Sequence, residues 1–167
     1  QEIYYSPESS YFYKNKPNTS VFRTLPAENF SEIDKMPVNG KMFLTNNSII
    51  SLGDNISAFS RESHHKLWNT ELNATVESAR KINDSLYFVL TKNVNRDSPC
   101  PIRPLGSTIM PCTTFYHPDS GQIDTSYSLI EMDSKTGEIL NTNGFVGSRS
   151  NSISYVSQDS IYLTYSD

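Results

Sequence analysis

Basic charge, alanine and long apolar runs are what this chain has little of, and each shortage removes a class of function. With 14 Lys and Arg against 18 Asp and Glu, its 167 residues carry a formal charge of −4. No basic surface is therefore expected for a phosphate backbone, and sequence-independent nucleic-acid binding is set aside. Alanine is scarce and no stretch repeats with helical periodicity, which argues against a helical fold. The longest apolar runs, such as Leu86 to Leu90, have only strand length, and the chain starts at Gln1 without a basic or apolar leader pattern. No transmembrane segment or signal peptide is expected within it, and an earlier leader is compatible with removal.

Signatures of catalysis and metal binding are missing too. There is no Gly-x-Ser-x-Gly; Gly147-Ser148 follows a strand pattern, but nothing after it reads as a helix. No Asp-x-Asp-x-Asp-Gly loop exists, so Asp119, Asp124 and Asp133 read as ordinary turn residues rather than calcium ligands. His64-His65 are adjacent, hence divergent on extended backbone, and read as a solvated turn. Glu71, Glu77 and Glu131 fall on strands, and glycoside cleavage would need two of them to converge. No catalytic, cofactor-binding or metal-ligating residue is assigned, and no cofactor is expected.

What the chain does have is ten Tyr and eight Phe among abundant Ser, Thr and Asn. These are strand and turn residues, and the chain reads as all-β. Ser126 to Asp133 alternates, reverses at Ser134-Lys-Thr-Gly137, and continues from Glu138 to Phe145; Ile153 to Val156 and Ile161 to Tyr165 flank a polar turn at Ser157 to Ser160. Residues 1–31 form a Tyr- and Pro-rich N-terminal arm. Residues 32–72 parse as a first meander, with Ile33 to Val38 turning at Asn39-Gly40 into Lys41 to Thr45, followed by Ser48 to Leu52, Ile56 to Phe59 and Lys66 to Leu72. Residues 73–146 parse as a second: Val76 to Ile82, a turn at Asn83-Asp84, Leu86 to Thr91, and then the two strands on either side of Gly137. An insert at 93–124 interrupts it, and 147–167 begin a third unit. Four-stranded units of about this length are the blades of a β-propeller. The expectation is antiparallel four-stranded meanders amounting to about two and a half blades, with the remaining blades supplied by the same or another chain.

The two cysteines, Cys100 and Cys112, each follow a proline within the insert. Pairing them closes a loop of about a dozen residues, a stabilisation of roughly 3 kcal/mol in the chain-entropy picture, and places the chain in an oxidising compartment. Free thiols, or a zinc site shared with His117, are the weaker readings, because a fourth zinc ligand is missing. Asn-x-Ser/Thr sequons stand at Asn18, Asn29, Asn46, Asn55, Asn73 and Asn83, a mild excess over chance that agrees with secretion.

The second unit resembles the secreted β-propeller-domain proteins of archaea and some bacteria, a family largely of unknown function. The likeness rests on Val76-Glu-Ser-Ala-Arg80 with Leu86-Tyr-Phe-Val89, Pro99-Cys-Pro-Ile102, Pro111-Cys112 with Tyr116-His-Pro118, and Asp124-Thr-Ser-Tyr127. It continues through Asp133-Ser-Lys-Thr-Gly-Glu138, Phe145-Val-Gly-Ser148 and Tyr155-Val-Ser157 to Ile161-Tyr-Leu-Thr-Tyr165. The resemblance implies a secreted or envelope-attached propeller longer than this chain, and it carries no catalytic residue to transfer. A looser similarity to quinoprotein-type propellers divides between units, Trp68 in one and the Asp133 to Gly137 turn in the other, and implies no cofactor.

The functional expectation is an extracellular, cell-surface scaffold or interaction module without catalysis, its insert contacting a protein or surface polymer. Two alternatives stand beside it. One is a structural subunit of an extracellular filament or surface layer, joined by strand addition. The other is a fragment of a propeller hydrolase or oxidoreductase whose active site lies on other blades.

Overall fold

A computed structural model describes residues 2–5, 19–23, 28, 30–36, 40–95, 99–117, 123–149, 153–157 and 160–164. Among them no α-helix forms: apart from short 3-10 turns, the regular elements are strands. The chain divides into two units, 1–69 and 70–167.

In the first unit, β1 (Glu2–Tyr5), β2 (Thr19–Arg23) and β3 (Ser31–Met36) form an antiparallel three-stranded sheet. A second sheet runs in order β4 (Lys41–Leu44), β5 (Ser48–Leu52), β6 (Asn55–Ser60) and β7 (Lys66–Glu71). Every residue of Ser48-Ile-Ile-Ser-Leu52 is buried, as a central strand covered on both faces requires, whereas no residue of β4 or β7 is buried. Val21, Met36, Ile49 and Phe59 form one buried cluster, with Met42 packed against it, so side chains of both sheets share a core. Fully burying residues of these types contributes about 1.5–3 kcal/mol each.

The expected hairpin between 33–38 and 41–45 does not form. β3 pairs with β2, Val21 facing Asp34, and β4 pairs with β5. Asn39 lies outside the described residues; Gly40 has φ +101°, and a Cβ there would stand 2.2 Å from the Leu52 carbonyl oxygen. The glycine thus lets the chain pass close over the end of β5 and start a new sheet, instead of folding back on β3. It follows that part of the N-terminal arm is sheet: the described residues of 1–31 include two strands, and Val21 is fully buried.

The second unit holds a five-stranded sheet built from β8 (Thr75–Ile82), β9 (Ser85–Asn93), β10 (Phe115–Tyr116), β11 (Thr125–Asp133) and β12 (Ile139–Gly147), in order β10-β12-β11-β9-β8. Its four long strands are the antiparallel meander expected from the turns. Asn83 takes φ +53° at the β8–β9 reversal. At the β11–β12 reversal Asp133 Oδ1 accepts the backbone N–H groups of Lys135 and Thr136, both at 2.8 Å, and Gly137 takes φ +74°. A separate hairpin pairs β13 (Ile153–Val156) with β14 (Ile161–Thr164). The described sheets are open and none closes on itself, so the observed architecture is all-β with antiparallel meanders.

Register puts one face of this sheet into three cross-strand rows. Thr91, Tyr127 and Phe145 are opposite one another, then Val89, Leu129 and Asn143, then Tyr87, Glu131 and Asn141. Tyr127 and Phe145 stack with centroids 4.4 Å apart and planes within 7°, and the Tyr127 hydroxyl donates to the Ser148 carbonyl at 3.0 Å. Val89 and Tyr127 anchor the cluster on this face, and Ile161 of β14 packs onto it.

Candidate functional site

In an antiparallel meander alternate strands end at the same edge of the sheet. Here the start of β8, the end of β9, the start of β11 and the end of β12 converge, because Thr75 pairs with Thr91, Asn93 with Thr125, and Thr125 with Gly147. Backbone bonds extend the ladder beyond the strands, Val94 N–H to Asp124 C=O at 2.8 Å and Asp124 N–H to Gly147 C=O at 3.1 Å. At this end lies a cavity of about 410 Å³, lined by Asn73, Ala74, Thr75, Thr91, Lys92, Asn93 and Arg149.

The lining is polar and cationic. Among the described residues neither Lys92 nor Arg149 forms an ion pair with a carboxylate. Asp124 is close in the fold, but its Oδ1 accepts the Thr125 hydroxyl at 2.7 Å and the Arg149 backbone N–H at 3.0 Å. Thr91 is 2% exposed, and its hydroxyl is buried without a hydrogen-bond partner among the described residues. A buried polar atom left so costs about 1–3 kcal/mol.

The insert lies against the segment that leads to one side of the cavity. Cys100 and Cys112 are joined in a disulfide, with Cα atoms 5.5 Å apart. Inside the loop Ile102 and Met110 exchange both backbone hydrogen bonds, at 3.0 and 2.9 Å, and Ile102, Leu105 and Met110 are buried. The loop then grips the segment leading into β8: Leu105 bridges Leu72, Gly106 N–H donates to the Glu71 carbonyl at 2.8 Å, and Asn73 N–H donates to the Pro104 carbonyl at 3.0 Å. The described part of the insert is therefore ordered. It holds Asn73 in place on the cavity rim.

Other residues singled out in the sequence are dispersed. With both sulfurs in the disulfide, no thiolate remains for zinc, and no group of metal-ligating side chains gathers among the described residues. His64 does not sit in a solvated turn: at φ +56° its side chain is 13% exposed, its Nδ1 meets the Asp34 carboxylate, and its Nε2 is buried without a partner among the described residues. His65 is exposed. Asp34 is held below the usual carboxylate range, first by the Lys35 backbone N–H and then by His64. Glu71 and Glu77 are exposed, while Glu131 accepts the hydroxyls of Ser85 at 3.0 Å and Tyr87 at 2.9 Å. That bond pushes the Tyr87 phenol up from its ordinary value. Around it Tyr87, Leu129, Glu131, Asn141, Asn143 and Ile161 line a smaller cavity of about 170 Å³. Asp119 lies outside the described residues. Of the sequons, Asn18 and Asn29 lie outside them, Asn46, Asn55 and Asn83 are exposed, and Asn73 is half-buried beside the larger cavity.

The sequence reading missed Thr91, Lys92 and Arg149. The signal was topological: once four antiparallel strands are assigned, the residues after Leu90, before Thr125 and after Gly147 must meet at one end.

No family model matches the chain. An uncharacterized protein of Archaeoglobus fulgidus is 35% identical over 175 residues, covering 98% of this chain and 28% of that protein. The uncharacterized protein MJ1554 of Methanocaldococcus jannaschii is 26% identical over 154 residues, covering 87% of this chain and 24% of its own length. The chain thus spans about a quarter of the length of these curated relatives.

Proposed function

We propose that this chain is a sector of a larger β-propeller that works outside the cell as a recognition scaffold without catalysis of its own, presenting its disulfide-closed insert to a protein or surface polymer. The observation that carries the reading is the way the loop from Cys100 to Cys112 is fastened to Glu71, Leu72 and Asn73, so that a rigid sheet displays an ordered loop beside a polar cavity. The disulfide fits an oxidising compartment. The four-stranded meanders fit blades, and the greater length of the archaeal relatives leaves room for more of them. A non-catalytic role agrees with how the carboxylates are used: Glu131 binds two hydroxyls, and Asp124 and Asp133 accept backbone amides.

The test has two arms. Source cells are fractionated after thiols are trapped with a maleimide, and the full chain and a variant with 99–112 replaced by Gly-Gly are titrated against envelope material isolated from those cells. The expected result is an unlabelled protein in the surface or medium fraction, whose binding falls at least tenfold without the insert. A maleimide-labelled protein in the cytosol, or binding indifferent to the insert, would refute the reading.

A further inference from the structure

We infer that the cavity at the end of the second sheet binds one unit of an acidic saccharide, with Lys92 and Arg149 taking its anionic group and Asn73, Thr75 and Asn93 meeting its hydroxyls. Four observations lead there. The volume of about 410 Å³ lies at the small end of the range for ligand sites and is far more than a bare phosphate or sulfate fills. The lining offers two amides and the Thr75 hydroxyl, groups that both donate and accept, which matches a ligand covered in hydroxyls rather than an apolar one. Two cations stand in it without a carboxylate partner among the described residues, on a chain whose net charge is −4, so the local preference is for an anion. The lining has no aromatic ring for a base to stack on, which disfavours a nucleotide.

The sequon adds a source for that sugar. Asn73-Ala-Thr75 contributes all three of its residues to the cavity wall, so a saccharide carried on Asn73 starts inside the site. The shared chemistry is an acidic sugar ring, either attached to this chain or presented by a neighbouring polymer. The inference deepens the surface-recognition reading by naming a ligand class, and it depends on that reading only for where the sugar comes from.

The experiment uses the whole chain in two forms. The chain made without glycosylation is titrated with glucuronate, with its methyl ester and with sodium sulfate, following the backbone amide resonances of Thr91, Lys92 and Asn93. Separately, the peptide containing Asn73 from native material is weighed for an attached acidic glycan. Saturable shifts with glucuronate, at least tenfold weaker with the ester and with sulfate, and lost in Lys92→Gln and Arg149→Gln variants that melt like the parent, support a polymer-borne sugar. An acidic glycan on native Asn73, with free glucuronate binding the native chain only after enzymatic glycan removal, supports the attached source. Equal response to glucuronate and its ester, binding by sulfate as tight as by the sugar, or unchanged affinity in both variants would overturn the inference. Because these readouts do not involve the insert or the cell fraction, loss of sugar binding leaves the scaffold reading standing, and a cytosolic location leaves the sugar site standing.

Discussion

A Cβ added to Gly144 would lie 2.6 Å from the ring of Phe115, which rests on β12 where β10 runs parallel beside it. The ring occupies the space that a side chain would take. Gly144→Ala must therefore push Phe115 away or bend β12, an overpacking cost of about 1–3 kcal/mol. In a Phe115→Ala background the same glycine change should cost much less, because the clash is gone. Chemical denaturation of the four proteins of this cycle measures the coupling, and strictly additive costs would contradict it.

The buried Tyr127 hydroxyl donates to the Ser148 carbonyl just past the end of β12, one residue before Arg149. Tyr127→Phe keeps the stack on Phe145 and removes that bond, at a cost of about 0.5–1.5 kcal/mol. The backbone at Ser148 should loosen with it. Amide exchange at Ser148 and Arg149 faster in the variant than in the parent is the expected result; unchanged exchange would show that the bond holds nothing.

Opening the disulfide should act locally before it acts globally. A loop of 12 residues' separation is stabilised by about 3 kcal/mol in the chain-entropy estimate. Replacing both cysteines by serine should first free the segment around Ile102 to Met110 and, through Pro104, the backbone of Asn73. Proteolysis should then fall between Cys100 and Cys112 at temperatures where the long strands still resist. Cleavage elsewhere first would contradict this order.

Two carboxyl groups tie stability to acid. Asp34 is held below the usual range chiefly by the Lys35 backbone N–H, and Asp133 by the backbone amides of Thr136 and then Lys135. A carboxyl whose folded pKa is depressed adds stability that is complete above its unfolded value, about 3.9, and is lost as pH falls through the folded value. Melting temperature should therefore fall below about pH 4. Asp34→Asn and Asp133→Asn should each lower it at neutral pH and flatten its acid dependence. A parent curve flat down to pH 2 would rule this out.

Much of the second sheet was legible in the sequence because its signals are local. Alternation from Ser126 to Asp133 and the turn residues Asn83, Asp84 and Gly137 fix strand, reversal and register within a few positions. Phe115–Tyr116 on β12 was not legible: two residues make no periodic pattern, and their partner lies about thirty positions away with a glycine whose only clue is the space it leaves. The same holds for β3, which reads equally well as a partner for β2 or β4 until Val21 and Met36 are seen to share a core. The disulfide was suggested by spacing alone, whereas the cavity needed the fold. Lys92 and Arg149 are ordinary strand-end residues until the register brings them together.

The short parallel segment over Gly144 and Phe145 also bears on how molecules of this kind can join. It covers Gly144 and Phe145 on that edge of β12, and the longest stretch left there without a paired neighbour among the described residues runs from Ile139 to Asn143. Five residues are a poor template for lateral growth, since a lone pair of short strands is marginal in water. A fibre assembled along this border would gain little from each strand it added.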